Sequence, residues 1–225
     1  TIYVLAYLLN IETATKNCSV SLAKDGSTLI CKEIAEEGFS HAERLHVFIE
    51  EIIREAGITF QDLNAIAVSQ GPGSYTGLRI GVSAAKGLCY ALDIPLIAID
   101  TLQTLARQVK QTDGFIVPMI DARRMEVYSA IFDANYEQKR AIQAEVITEN
   151  SFADSKETLY FIGDCNEKCK TVLSAPNFVF LEGIQYPSAK EMSALSFEKY
   201  QKSDTVDVAY FEPFYLKDFM ITTKK

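Results

Sequence analysis

A chain of 225 residues that is 48% hydrophobic carries enough apolar mass for one large domain or two small lobes. Its 22 Lys and Arg stand against 30 Asp and Glu, and the net charge of -8 opposes direct binding to a nucleic-acid backbone, with no dense basic cluster to override it. Five cysteines, odd in number and without a C-x-x-C pair, argue against a disulfide framework or a zinc knuckle and read as buried reduced thiols of a cytoplasmic protein.

The apolar opening, residues 1–11, is too short to span a bilayer and lacks the basic start and cleavage site of a signal peptide, so it reads as a first core strand with a short extension. Segments 7–13, 18–23 and 28–34 are predicted as an antiparallel meander, the second link being the hairpin turn Lys24-Asp25-Gly26-Ser27. Leu45, Phe48, Ile49, Ile52, Ile53 and Ala56 follow helical spacing, with Ser40 and Glu43 placed as a capping box and Gly57 as the stop. A strand (65–69), a glycine-rich run (71–81), a helix (76–92), a strand (95–99) and a helix (101–110) complete a βββαβαβα order that favours parallel pairing. A second set begins at 115–120, turns at Asp121-Ala122-Arg123-Arg124 and returns at 126–132. Weaker strands follow at 142–147, 159–162 and 178–181, with helices at 166–173 and 188–201. The expected architecture is α/β, with two mixed-sheet lobes, 1–110 and 111–225, the last segment packing back on the first lobe.

Gly71, Gly73 and Gly77 open the backbone to close approach by a ligand or by another stretch of chain. A glycine loop feeding a helix start suits phosphate, yet the run is neither GxxxxGK[ST] nor GxGxxG: Arg79 stands two residues past the last glycine of the loop, and no Lys occupies the gripping position. His41 and His46 lie five apart, about 140 degrees around a helix, and do not share one metal ion readily. Ser69 and Ser74 lack a G-x-S-x-G elbow, and Cys89 sits among apolar helix residues. Glu12, Asp100 and Asp121 fall at strand ends, where turn and cap roles compete with acid chemistry. The 76–92 helix is apolar on more than one side. Ser83, Gly87 and Ala91 recur every four residues on it, which suits either full burial in its own lobe or close contact with a second helix.

Five segments, LLNIETATKNCSVSL, HAERL, AIAVSQGPGSYTGLRIGVSAAKGL, IDARRMEVYSAIF and EPFYLKD, together resemble the TsaB (YeaZ) family of the bacterial threonylcarbamoyladenosine tRNA-modification machinery. The resemblance implies an actin, hexokinase and sugar-kinase fold, each lobe starting from a βββαβα core. It implies a non-catalytic paralogue of TsaD, the subunit that modifies the adenosine beside the anticodon. Such a protein pairs with TsaD while the ATPase TsaE joins, forms a homodimer when alone, meets tRNA only indirectly and touches no membrane. The implied interface is His41, Leu45, Gly77, Gly81, Ser83, Ala84, Gly87 and Ala91. No catalytic or metal residue is assigned and no cofactor is expected to bind tightly. ATP or ADP at the subunit junction is an open candidate, with Glu12, Thr13, Arg79, Asp121 and Arg123 as the residues to hold it; these charges, with Arg124, equally suit partner carboxylates or solvent. One departure is Glu12 where the family places Asp. The competing reading is a free-standing glycoprotease-like peptidase or phosphotransferase of the same fold, which would turn over or bind metal unaided.

Overall fold

A computed structural model describes residues 5–35, 41–110 and 113–216. The first half runs β1 (Tyr7–Glu12), β2 (Cys18–Lys24), β3 (Ser27–Ile34), α1 (His41–Ala56), a short 3-10 turn, β4 (Leu63–Gly71), α2 (Tyr75–Leu92), β5 (Leu96–Asp100) and α3 (Thr101–Ala106). The second half runs β6 (Phe115–Asp121), β7 (Glu126–Phe132), β8 (Gln138–Val146), β9 (Leu159–Ile162), α4 (Asn166–Lys170), β10 (Phe178–Phe180) and α5 (Ala189–Gln201).

Each half forms a five-stranded sheet, in the orders β3-β2-β1-β4-β5 and β10-β9-β6-β7-β8. The two orders are one topology used twice: an antiparallel meander supplies one side, and two parallel strands extend the other from the central strand, β1 or β6. The first hairpin turns at Asp25 (φ 50) and Gly26 (φ 81), the left-handed pair that matches strand twist.

The central strands of the first sheet are buried on both faces, because both faces are covered. On one face Leu45, Ile49, Ile52 and Ile53 of α1 and Val82, Ala85 and Cys89 of α2 close over Leu9, Ile11, Val20, Ile66 and Val68. On the other, Ala189, Met192 and Leu195 of α5 close over Leu8, Ala65, Ala67, Ile97 and Ile99. α3 belongs to the first half by sequence, yet Leu102, Leu105 and Ala106 pack on Ile116, Ile120, Ala130 and Phe132 of the second sheet. The halves thus exchange covering helices. The outer face of the second sheet is closed by short elements, with Cys165, Cys169 and Leu173 around Phe161.

Three boundaries differ from expectation by three residues or more. α3 ends at Ala106 rather than at 110, because Gln108 and Val109 donate to carbonyls three residues back and the chain tightens into turns. α4 ends at Lys170 rather than at 173. β8 starts at Gln138, four residues earlier than its apolar residues suggest, as an edge strand whose Gln138 and Lys139 are exposed while Arg140 and Glu145 pair with each other half-buried. Ser40, the expected cap of α1, lies outside the described residues.

Candidate functional site

The C-terminal ends of β1, β4 and β5 meet at the glycine loop, where open α/β sheets place their ligands. Here the chain itself fills that place. The Ser74 N–H donates to Ala14 O at 2.6 Å, and the Thr13 hydroxyl donates to Gly77 O at 2.8 Å. A Cβ on Gly73 would stand 2.3 Å from Ala14 O, one on Gly77 2.1 Å from Thr13 O, and one on Gly81 2.2 Å from Thr13 Oγ1. These glycines let α2 sit against the β1–β2 turn backbone to backbone, and Ser74 caps the helix by accepting from the Gly77 N–H at 3.3 Å. His41, the first residue of α1, places Nε2 2.6 Å from Thr15 O in the same turn. His46 is exposed. Among the described residues no three His, Cys, Asp or Glu side chains converge as a metal site would require.

Glu12 is fully buried at the end of β1. Burial pushes its carboxyl up to about 7 despite the Ala14 N–H and the nearby Ser69 hydroxyl, and the charge of Asp100 adds to the rise. Asp100 caps α3 by accepting from the Gln103 N–H at 3.0 Å, and burial likewise pushes it up to about 6. Glu12 adjoins a turn whose Ala14 and Thr15 carbonyls are already engaged, by the Ser74 N–H and by His41.

The equivalent turn of the second lobe is closed differently. The Lys168 ammonium donates to Asp121 Oδ1 at 2.5 Å, to Arg124 O at 2.7 Å and to Glu126 O at 3.0 Å. Asp121 also accepts from the Arg123 N–H and donates its own N–H to Asp164. A built-in cation therefore neutralises Asp121 and holds the loop in which Arg123 (φ 76) and Arg124 (φ 53) take left-handed angles. Both arginines are exposed, and so is Arg79, which lies over the Tyr75 ring at 4.8 Å. Two hollows, of about 570 and 500 Å³, lie at the C-terminal end of α2 and beside the β9–α4 turn; neither is lined by Glu12, Thr13, Arg79, Asp121 or Arg123.

α2 presents one face to the core and another to solvent. Leu45 of α1 and Gly77 and Gly81 of α2 are buried in the lobe's own packing and offer no surface to a partner. His41 and Ala84 are half-buried, whereas Ser83, Gly87 and Ala91 are exposed and a Cβ on Gly87 would meet nothing within 4 Å. Tyr90, 87% exposed, ends this ridge. The flank of α2 is covered by a strap, residues 206–215. Val206 pairs with Leu96 at the edge of the sheet, and Lys86 donates to Ala209 O and Phe211 O, both at 3.0 Å. The Phe214 N–H donates to Gln70 O at 2.7 Å, and Tyr215 lies 4.9 Å from the ring of Tyr75. Neither the Lys86 staple of the strap nor the Lys168 plug is foreseen by any local motif. A lone lysine inside the small-residue stretch Ser83-Ala84-Ala85-Lys86-Gly87 is the one sequence signal for the first.

The doubled topology with exchanged helices is the actin, hexokinase and sugar-kinase fold. A family model described as "TsaD: tRNA N6-adenosine threonylcarbamoyltransferase" matches residues 33–222, which places the chain in that class of two-lobed tRNA-modification proteins. A tRNA threonylcarbamoyladenosine biosynthesis protein TsaB of Bacillus subtilis is 31% identical over 93% of each chain. Its Escherichia coli counterpart is 29% identical over 94% of each. The solved structure of YeaZ from Pseudomonas aeruginosa superposes with a TM-score of 0.81 at 26% identity, covering 94% of this chain and all of that one. The chain belongs to the TsaB family.

Proposed function

We propose that this protein serves threonylcarbamoyladenosine formation on tRNA as a non-catalytic subunit, pairing with a TsaD-like transferase through the exposed ridge of α2. The observation that carries this reading is a contrast within one lobe: the strand-end site is filled by the chain's own backbone, while Ser83, Gly87 and Ala91 leave the opposite face of α2 open to close approach. The family names of its relatives supply the pathway. In this reading a second copy uses the same ridge when the transferase is absent, so the two pairings compete. A TsaE-like ATPase joins the assembly, tRNA is met through the partner, and the setting is cytoplasmic. No helix among the described residues is long and apolar enough to cross a membrane. With both turns closed, any nucleotide would be held at the subunit junction, through the exposed guanidinium groups of Arg79 and Arg123.

The test is reconstitution of threonylcarbamoyl transfer to tRNA from purified subunits. Transfer that requires both this chain and the transferase, with none from this chain alone, is expected. Transfer that proceeds undiminished when this chain is omitted, or hydrolytic turnover by the isolated chain, would overturn the reading.

A further inference from the structure

The turn that follows β6 carries an unusual pair of residues. Turn positions with positive φ ordinarily go to glycine, asparagine or aspartate, yet here two consecutive arginines, Arg123 (φ 76) and Arg124 (φ 53), hold them, and both are exposed. Left-handed angles at such residues persist only where the surroundings impose them. Three oxygens that face one point supply that constraint: Asp121 Oδ1, Arg124 O and Glu126 O lie 2.5, 2.7 and 3.0 Å from the Lys168 Nζ. With no cation between them, a carboxylate and two carbonyl dipoles would turn their negative ends on one another.

We propose that this turn is a binding site for a monovalent cation of the alkylammonium class, and that the tethered ammonium of Lys168 is its resident ligand, fixing the angles at which Arg123 and Arg124 are displayed. The donor count fits. An alkylammonium offers three N–H groups to three acceptors and leaves by its carbon stem in the fourth direction. Divalent ions match poorly, because calcium takes about six to eight oxygens and magnesium a near-ideal octahedron at shorter distances, whereas one carboxylate and two carbonyls stand here.

Both halves of the site are anchored without the lysine. On α4, Asn166 donates to Phe161 O at 3.2 Å and to Leu181 O at 3.3 Å, and Cys165 and Cys169 are buried against the second sheet. In the turn, the Asp121 N–H donates to Asp164 Oδ1 at 2.8 Å, the Arg123 N–H to Asp121 Oδ1 at 2.7 Å, and the Ala122 N–H to Glu126 O at 3.1 Å. The Lys168 side chain is 23% exposed, so a small cation can reach the oxygens once the stem is gone.

The experiment removes the tether and returns its end. In the full chain, Lys168→Ala deletes Cγ to Nζ, the outline of n-propylammonium, and Lys168→Met keeps a stem while removing the charge. Both variants should melt about 5 °C below the wild type and lose hydrogen-exchange protection at the Ala122, Arg123 and Glu126 amides. In Lys168→Ala, n-propylammonium chloride at tens of millimolar should restore about half of both losses, while sodium chloride of equal ionic strength and the neutral isostere n-propanol restore neither. Lys168→Met and the wild type should not respond to the amine, since a stem already fills their sites. Should Lys168→Ala fail to fold unaided, its refolding yield reads the same site: a rise with the amine supports the proposal, and no rise sinks it. Full stability of Lys168→Ala, no recovery with the amine, or equal recovery with n-propanol, with sodium chloride or in Lys168→Met would likewise overturn it.

Discussion

Gly87→Leu would separate the folding of the lobe from the pairing proposed for it. In the middle of α2 a glycine costs about 0.8 kcal/mol relative to a good helix former, and a Cβ there meets nothing within 4 Å, so leucine relieves that cost without a clash. Unfolding by denaturant should show a midpoint equal to or slightly above that of the wild type. At a helix-helix contact built on small residues, the same side chain intrudes. Overpacking of this kind costs about 1 to 3 kcal/mol, which corresponds to roughly 5- to 150-fold weaker association. Sedimentation of the isolated chain and calorimetric titration against the transferase read the two pairings directly. Unchanged affinity in both would show that the ridge through Ser83, Gly87 and Ala91 is not the contact, and a large loss of stability would show that the ridge is not open.

Gly77→Ala should behave in the opposite way, since its Cβ would stand 2.1 Å from a backbone oxygen that has no rotamer by which to escape. A loss of about 3 kcal/mol, despite the gain in helix propensity, is expected from the denaturant midpoint, and wild-type stability would mean that the turn is not seated on α2. Lys86→Met removes the donor to Ala209 O and Phe211 O, so the strap should become protease-sensitive at a cost of about 1 to 2 kcal/mol, and equal resistance to cleavage would count against the staple.

The alternation of β and α segments in the first half was legible because β1, β4 and β5 are rich in apolar residues, β2 alternates them with serine, and α1 carries its buried residues at regular helical spacing. β8 was cut short because residues 138–141 are mostly polar, as an exposed edge strand allows. α3 was drawn too long because nothing local in Arg107 to Lys110 announces that the chain tightens there. At the site, glycine spacing foretold close approach but not what approaches; that the visitor is the chain's own Thr13-Ala14 backbone is decided by tertiary contact. Leu45, Gly77 and Gly81 entered the expected interface through the family resemblance, which names the two helices and not the sides of them that meet the sheet. Lys168 acts on Asp121 from 47 residues away, beyond the reach of any motif.

The exchange of α3 and α5 fixes how this protein can be taken apart. Severed between α3 and β6, the amino-terminal fragment would expose Leu8, Ala67 and Ile99, and the carboxy-terminal one Ile116, Ala130 and Phe132, each having surrendered its lid to the other. The doubled topology therefore does not amount to two autonomous modules. Complementation by split fragments, rather than independent expression of either piece, is the form in which the fold could be rebuilt.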